Sequence, residues 1–319
     1  MKITQNYFNK VLKKKFLFEN NPKIAVAVSG GPDSMALVVL LNKWIKKNNG
    51  SLIALIIDHQ IRKKSEIEAV TVKQYLFEHK IKSRILKINN KNVVKKTMKE
   101  ARENRFNHLI KFCLLNHIFH LFLGHHSDDN IETFLLRKIA GSNFEGLFGI
   151  KYKVNIKGLQ VLRPLLGFNK KEILKYNKDN CIYFVKDPSN NNLKYSRIIV
   201  RDFLSKKIKY KKQIEKDFHE LKTYFPFYKK MIFQIFNKLT IRISRNNILI
   251  DNIIFFQHNE EIQAKIIEII YKFLKPKKEF LRYKKILNSL LVLKSKKLIK
   301  TNLAGINIKR DVFFTSFAV

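Results

Sequence analysis

Cysteine is nearly absent. The 319 residues include two, Cys113 and Cys181, far apart and outside any CxxC pair. That argues against a cysteine-ligated zinc site or an iron–sulfur cluster, and for a reducing compartment. Long apolar runs are missing too. No stretch reaches the ~18 residues of a membrane span, so no membrane partner is expected. The opening stretch, "MKITQNYFNKVLKKKF", lacks the apolar core of a secretory signal. It is Lys-rich and amphipathic, a texture also met in lipid-binding and organelle-targeting segments, but a cytoplasmic location is the default. Acidic residues are scarce: 25 Asp and Glu face 64 Lys and Arg, a net charge of +39. Such a balance favours a polyanionic partner, most simply nucleic acid. A codon bias toward Lys, Asn, Ile and Phe is the competing source of the excess, and it leaves the attraction intact.

What is present supports a folded protein. A hydrophobic content of 45% can build a core, and 319 residues suffice for two domains. Residues 24–28 read as a buried strand, 35–45 as a helix, and "LIALII" (52–57) as a second strand ending at Asp58-His59. A helix over 65–79, a strand at 83–88, a helix over 94–117, a strand at 120–126 and a helix over 128–139 follow. The strands are continuous apolar runs, as in a parallel sheet covered on both faces. The fold class is therefore α/β, a doubly wound parallel sheet, which binds ligands at the carboxyl ends of its strands. Ser29, Asp58 and His125 fall at such ends. Residues 151–165 suit a last strand or hairpin, and 169–180 a helix. Residues 196–238 read as helices studded with Lys and aromatics, and from about 239 short apolar segments alternate with Lys-rich helical stretches. The expected division is a catalytic domain at 1–210 and a smaller, mainly helical, basic region at 211–319.

The first strand ends in "SGGPDS", residues 29–34. Gly30 and Gly31 allow a tight turn and close backbone approach to a ligand. Pro32 fits the first turn of the next helix, where a missing N–H costs nothing. Unpaired N–H groups, the helix dipole and the hydroxyls of Ser29 and Ser34 together form a phosphate cradle. A plain glycine turn is the alternative. The pattern GxxxxGK followed by Ser or Thr is absent, so no loop lysine grips a phosphate; GxGxxG is absent as well. Asp33 lies inside this anion site, which makes sense if a metal or an ammonium group accompanies the phosphate.

"SGGPDS" resembles the pyrophosphate loop of the N-type ATP pyrophosphatases, the PP-loop superfamily. Within that group the chain resembles the tRNA(Ile)-lysidine synthetase family. The other matching segments are "DHQIR" (58–62), "EARENRF" (100–106), "GHHSDDNIETFLLR" (124–137), "RPLL" (163–166) and "DPSN" (187–190), in the family's order. They lie within residues 24–202; the last third matches only loosely.

The second constellation is "HHSDDNIET". A fourth strand beside the first would turn Asp128, Asp129 and Glu132 toward the loop, with Asp129 and Glu132 on one helix face. Carboxylates there can hold Mg²⁺ against a pyrophosphate or receive a cationic substrate. Dipole complementation, with Ser127 as N-cap, is the plainer reading. His125 can equally be a satisfied histidine at a strand end. Arg102 and Arg105, three apart in "EARENRF", read either as a solvated face or as contacts to ATP or RNA. Arg197 and Arg201, four apart, could clamp phosphate.

The resemblance implies an enzyme using ATP and Mg²⁺. It adenylates the C2 oxygen of the wobble cytidine of tRNA(Ile) with a CAU anticodon, and free L-lysine then displaces AMP to leave lysidine. It assigns Ser29, Gly30, Gly31, Pro32, Asp33, Ser34 and Asp58 to ATP, and Asp33 and Asp129 to Mg²⁺. His125, Asp128, Asp129, Glu132 and Arg197 go to substrate, and Asp33, Asp129, Arg102, Arg105 and Arg201 to catalysis. Asp33 and Asp129 are the candidate bases for the lysine amine, and the basic C-terminal region would hold the tRNA. Oligomeric state is left open, a homodimer included. A related thiolase or amidotransferase and a non-catalytic RNA binder are the competing classes. Cys113, in an apolar helix, and Cys181, opening an apolar stretch, both read as packed, so the attacking nucleophile must arrive with the substrate.

Overall fold

Strand β1 (Lys23–Val28) sends its side chains alternately into two cores. Ile24, Val26 and Val28 belong to one, Ala25 to the other. A strand buried on both faces requires helices on both sides of its sheet. The computed structural model has them; it describes residues 2–58, 63–87, 98–185, 196–276, 281–295 and 297–319.

The first part of the chain runs α1 (Gln5–Lys15), β1, α2 (Pro32–Lys46), β2 (Ser51–Asp58), α3 (Lys63–Glu78), β3 (Ser83–Lys87), α4 (Met98–Leu115), β4 (His120–Phe122), α5 (Ser127–Ile139) and α6 (Phe144–Leu147). Then come β5 (Lys153–Ile156), β6 (Leu159–Leu162), a 3-10 turn (Pro164–Gly167), α7 (Lys170–Asp179), α8 (Ser196–Lys206) and α9 (Ile208–Leu239). The sheet order is β3-β2-β1-β4-β6-β5. All pairs are parallel except the β5–β6 hairpin. The order reverses between β1 and β4, and the crevice above that point is where such sheets bind ligands. Residues of α1, α2, α3 and α7 pack on one face, and Leu109, Ile110 and Cys113 of α4 on the other. Helix α1 spends its apolar side here: Phe8 and Leu12 are fully buried, and the Tyr7 ring meets Phe168 edge-on at 5.4 Å.

Two compact units partition the chain: 1–140 with 149–215, and 141–148 with 216–319. The second unit adds β7 (Thr240–Ile243), β8 (Asn247–Asp251), α10 (Asn252–Gln257), α11 (Glu260–Leu274), α12 (Tyr283–Ser295), β9 (Ile299–Leu303), β10 (Ile306–Arg310) and β11 (Phe314–Ala318). Its antiparallel sheet, in the order β7-β8-β11-β10-β9, was not anticipated. Ile306 and Ile308 are buried while Asn307 and Lys309 face solvent, a period of two hidden in a Lys-rich background. Ala304 and Gly305, both at positive φ, close the β9–β10 turn. Ile266, Ile267 and Ile270 of α11 and Leu290 and Leu293 of α12 fill the core beneath this sheet.

Candidate active site

The residues around the β1–β4 crevice are positioned by two glycines. Gly30 has φ +78°, and a Cβ there would come within 2.9 Å of Val72 Cγ2. The loop is pinned from outside by Val185, whose N–H donates to the Gly30 carbonyl at 2.9 Å. The Ser34 hydroxyl closes it from inside. It accepts from the Ser29 N–H at 3.2 Å, and the two serine hydroxyls lie 3.3 Å apart. Gly31 caps α2 and Pro32 opens it. Gly124, past the end of β4, lies so close to α2 that a Cβ would meet Ser34 N at 3.2 Å. This approach sets the segment 125–132 against the loop; β4 itself is His120–Phe122, shorter than a strand to 126, with the Leu123 N–H still donating to the Leu162 carbonyl at 2.9 Å.

Helix α5 begins one residue earlier than a Ser127 cap would place it. His126 is the N-cap, and its backbone N–H donates to Asp129 Oδ2 at 3.0 Å. The buried His126 ring faces three carboxylates: Asp33 at 3.8 Å, Asp128 at 3.7 Å and Asp129 at 3.7 Å.

Every acid in the cluster already has a basic partner. Lys170 Nζ donates to Asp33 Oδ1 at 2.6 Å and Oδ2 at 2.7 Å. The backbone N–H of Lys170 donates to Asp128 Oδ2 at 2.8 Å, and Lys211 Nζ to Asp128 Oδ1 at 2.6 Å. Arg197 bridges Asp129 (3.0 Å) and Glu132 (2.9 Å). Arg201 forks onto both oxygens of Glu132, at 2.7 and 3.1 Å. Glu132 itself is 3% exposed. The i, i+4 pair of arginines thus meets the i, i+3 pair of acids, as helical spacing allows. Helix α7 is anchored to the loop by Asn177, which is buried and donates to the Pro32 carbonyl at 2.9 Å.

Burial would raise the Asp128 carboxyl, but hydrogen bonds from Lys211 and from the Lys170 N–H carry it below its ordinary 3.8. Burial likewise opposes ionisation of Asp129, and His126, Arg197 and the backbone bond outweigh it, again to a value below 3.8. Both carboxylates therefore stabilise the fold above that pH, and their contribution is lost as pH falls through the lowered values. The Glu132 hydrogen bond raises Arg201. A carboxylate held ionised in this way is a weak proton acceptor, which counts against Asp129 as a general base.

Several expected residues have partners besides these carboxylates or fall outside the described residues. Asp58, buried at the end of β2, accepts from the Ser65 hydroxyl at 2.8 Å. His125 Nδ1 accepts from Arg163 Nε at 3.3 Å. Arg105 lies on α4, half-buried. The Arg102 side chain, residues 59–62 of "DHQIR" and the "DPSN" segment are outside the described residues. Cys113 is buried, which pushes its thiol up to about 12, but Cys181 is exposed, not packed as its apolar neighbours suggested. It has φ +50° in the turn after α7, and Ile182 is the residue that turns inward. Lys170 and Lys211 escaped the sequence reading because a single lysine among 64 basic residues carries no signal.

Asp33 and Asp129 approach a common point, both being within 4 Å of His126 Nε2. Two hard carboxylates are what Mg²⁺ takes from a protein when phosphates complete its shell, so the donor set fits. No larger group of His, Cys, Asp or Glu placed to hold a metal occurs among the described residues.

A family model described as the PP-loop domain matches residues 1–208. Among curated proteins, the chain is 40% identical over 203 residues to a tRNA(Ile)-lysidine synthase of Wolbachia pipientis wMel. That match covers 60% of this chain and 47% of the relative. It is 37% identical over 187 residues to one of Orientia tsutsugamushi (strain Boryong), covering 59% and 42%. The chain thus spans less than half the length of these relatives. Among solved structures, the U34-tRNA thiolase NcsA from Methanococcus maripaludis, with its 4Fe-4S cluster, aligns at a TM-score of 0.58 and 22% identity. That alignment covers 68% of this chain and 78% of that one, and it speaks to the fold alone. No described helix is long and apolar enough to cross a membrane.

Proposed function

The chain belongs to the PP-loop domain family, and from that premise we propose that it joins free L-lysine to C2 of the wobble cytidine of a tRNA(Ile) with a CAU anticodon. In the first step the cytidine C2 oxygen bonds to the α-phosphate of ATP and the bond to pyrophosphate breaks. In the second the lysine ε-amine bonds to C2, AMP departs and the amine gives up a proton. The observation that carries the reading is an ion-paired carboxylate cluster packed against an anion cradle at the switch point of the sheet. Lysidine synthase relatives at 37–40% identity across this region support it.

Each group has a physical task. Loop amides and the hydroxyls of Ser29 and Ser34 bind the pyrophosphate end of ATP. Asp33 and Asp129 would hold Mg²⁺, which supplies charge neutralisation when bound. Arg197 and Arg201, fixed by Glu132, present guanidinium edges to phosphate. Asp128 receives the lysine ammonium in exchange for Lys211. Asp58, Arg102, Arg105 and His125 complete the nucleotide and RNA contacts. Residues 1–210 carry out the chemistry and 211–319 grip the tRNA, in the cytoplasm. With two cysteines, one buried and neither in the cluster, the chain has no thiol set for carrying sulfur.

The test is pyrophosphate release from ATP, with and without tRNA and lysine. Release that needs the tRNA, and accumulation of AMP that needs lysine, are expected; lysine-independent turnover to free AMP would contradict the reading. A second expectation concerns charge. With +39 on the chain, tRNA affinity should fall at least roughly 100-fold between about 50 and 200 mM salt, because releasing the counterions condensed on the RNA gains less entropy as the bulk salt rises. A filter-binding series that gave a flat slope would remove the electrostatic clamp from the account.

A further inference from the structure

The cradle has no lysine of its own, yet a lysine is the group in closest contact with it. Lys170, the first residue of α7, sets its ammonium on both oxygens of Asp33, the second residue of the helix that the loop opens. We propose that Lys170, whose ammonium sits on Asp33, is a pyrophosphate-binding residue that turns to the β,γ-phosphate end of ATP when the cradle fills. The inference rests on the reading of the loop as an ATP site.

Three features support the transfer. First, the base of Lys170 is fixed. Its backbone N–H is bonded to Asp128, Asn169 caps its helix by accepting from Glu172 N, and Asn177 ties the same helix to Pro32 of the loop. Second, its tip is free to travel. The side chain is 36% exposed, and a four-carbon stem with a point charge reorients at little cost. Third, the contact it would leave is weak. Asp33 is 26% exposed, and a partly solvated ion pair contributes little. A polyphosphate with several charges in a cradle of amides competes easily for the ammonium. Lys211 on Asp128 is the alternative cation, but its stem starts on α9 and it is shared with Glu215 at 3.7 Å. Lys170 is the one whose helix is bonded directly to the loop.

The test is calorimetric binding of inorganic pyrophosphate and of AMP to the full chain in Mg²⁺ buffer, for wild type, Lys170→Ala and Lys170→Arg. Losing one charged contact to phosphate should weaken pyrophosphate binding roughly 10- to 100-fold in Lys170→Ala. AMP should be held within about 2-fold, and Lys170→Arg should recover most of the loss. Equal weakening of AMP and pyrophosphate would assign Lys170 a purely structural part, as would unchanged pyrophosphate affinity in Lys170→Ala. A wild-type chain that bound no pyrophosphate at all would overturn the ATP reading itself, and this inference with it.

Discussion

Replacing Asp33 by alanine is expected to lower tRNA-dependent pyrophosphate release by at least roughly 100-fold, the scale on which charged groups in a reacting site act. tRNA affinity should stay within about 2-fold of wild type. Asp33 is the only acid in the loop, and it stands inside a site made for anions. Its partner is the Lys170 ammonium, whose flexible stem can turn it to phosphate, so its lasting task lies with a ligand or with Mg²⁺. Fold stability should hardly change, because the Asp33–Lys170 pair is partly exposed on both sides. ATP affinity should fall much less than turnover, since Lys170 is released to the phosphates as Asp33 is removed. Full turnover of Asp33→Ala at saturating Mg²⁺ would take Asp33 out of the site.

Glu132→Gln is expected to act on stability as well as on turnover. This carboxylate is almost fully buried and accepts three hydrogen bonds from Arg197 and Arg201. Glutamine keeps the size but removes the charge, and its amide N–H group meets guanidinium donors. Breaking a buried ion pair from one side costs about 3–5 kcal/mol; the lower end applies here, because the arginines are 30% and 45% exposed and water can take up part of their charge. Urea unfolding should therefore show a loss of about 3 kcal/mol. Pyrophosphate release should drop too, as both arginines lose their fixed orientation. A variant as stable as wild type would show that the buried acid does not organise the two arginines.

Much of the first unit was readable because its central strands β1 and β2 carry unbroken apolar runs, 24–28 and 52–57, punctuated by glycine and proline. The run 24–28 followed by "SGGPDS" placed a strand, a turn and a helix, and the structure has all three. Asp129 and Glu132 were read onto one face, and Arg197 spans both. Three kinds of feature escaped. Short contacts between distant segments leave no local trace: neither the close approach of Gly124 to α2 nor the His126 cap is marked in the local pattern. In a chain this rich in lysine, the functional Lys170 cannot be told from a solvated neighbour such as Lys171. The same background hides the alternation of β9 and β10, so that the short apolar segments after 239 do not declare a five-stranded sheet. Cys181 departs from its local pattern for a related reason. An apolar neighbourhood of one helical or extended period predicts burial, but the turn at positive φ points the thiol outward.

The central claim is that the cradle and the acid cluster together join lysine to a cytidine. Labelled lysine, ATP and Mg²⁺ incubated with the full chain and a CAU-anticodon tRNA(Ile) transcript test it directly, beside the same transcript with uridine at the wobble position. Label should enter the first tRNA with release of one AMP per lysine joined, and should stay out of the second. Label in neither tRNA from a chain that folds and binds both, or equal label in the two, would contradict the account.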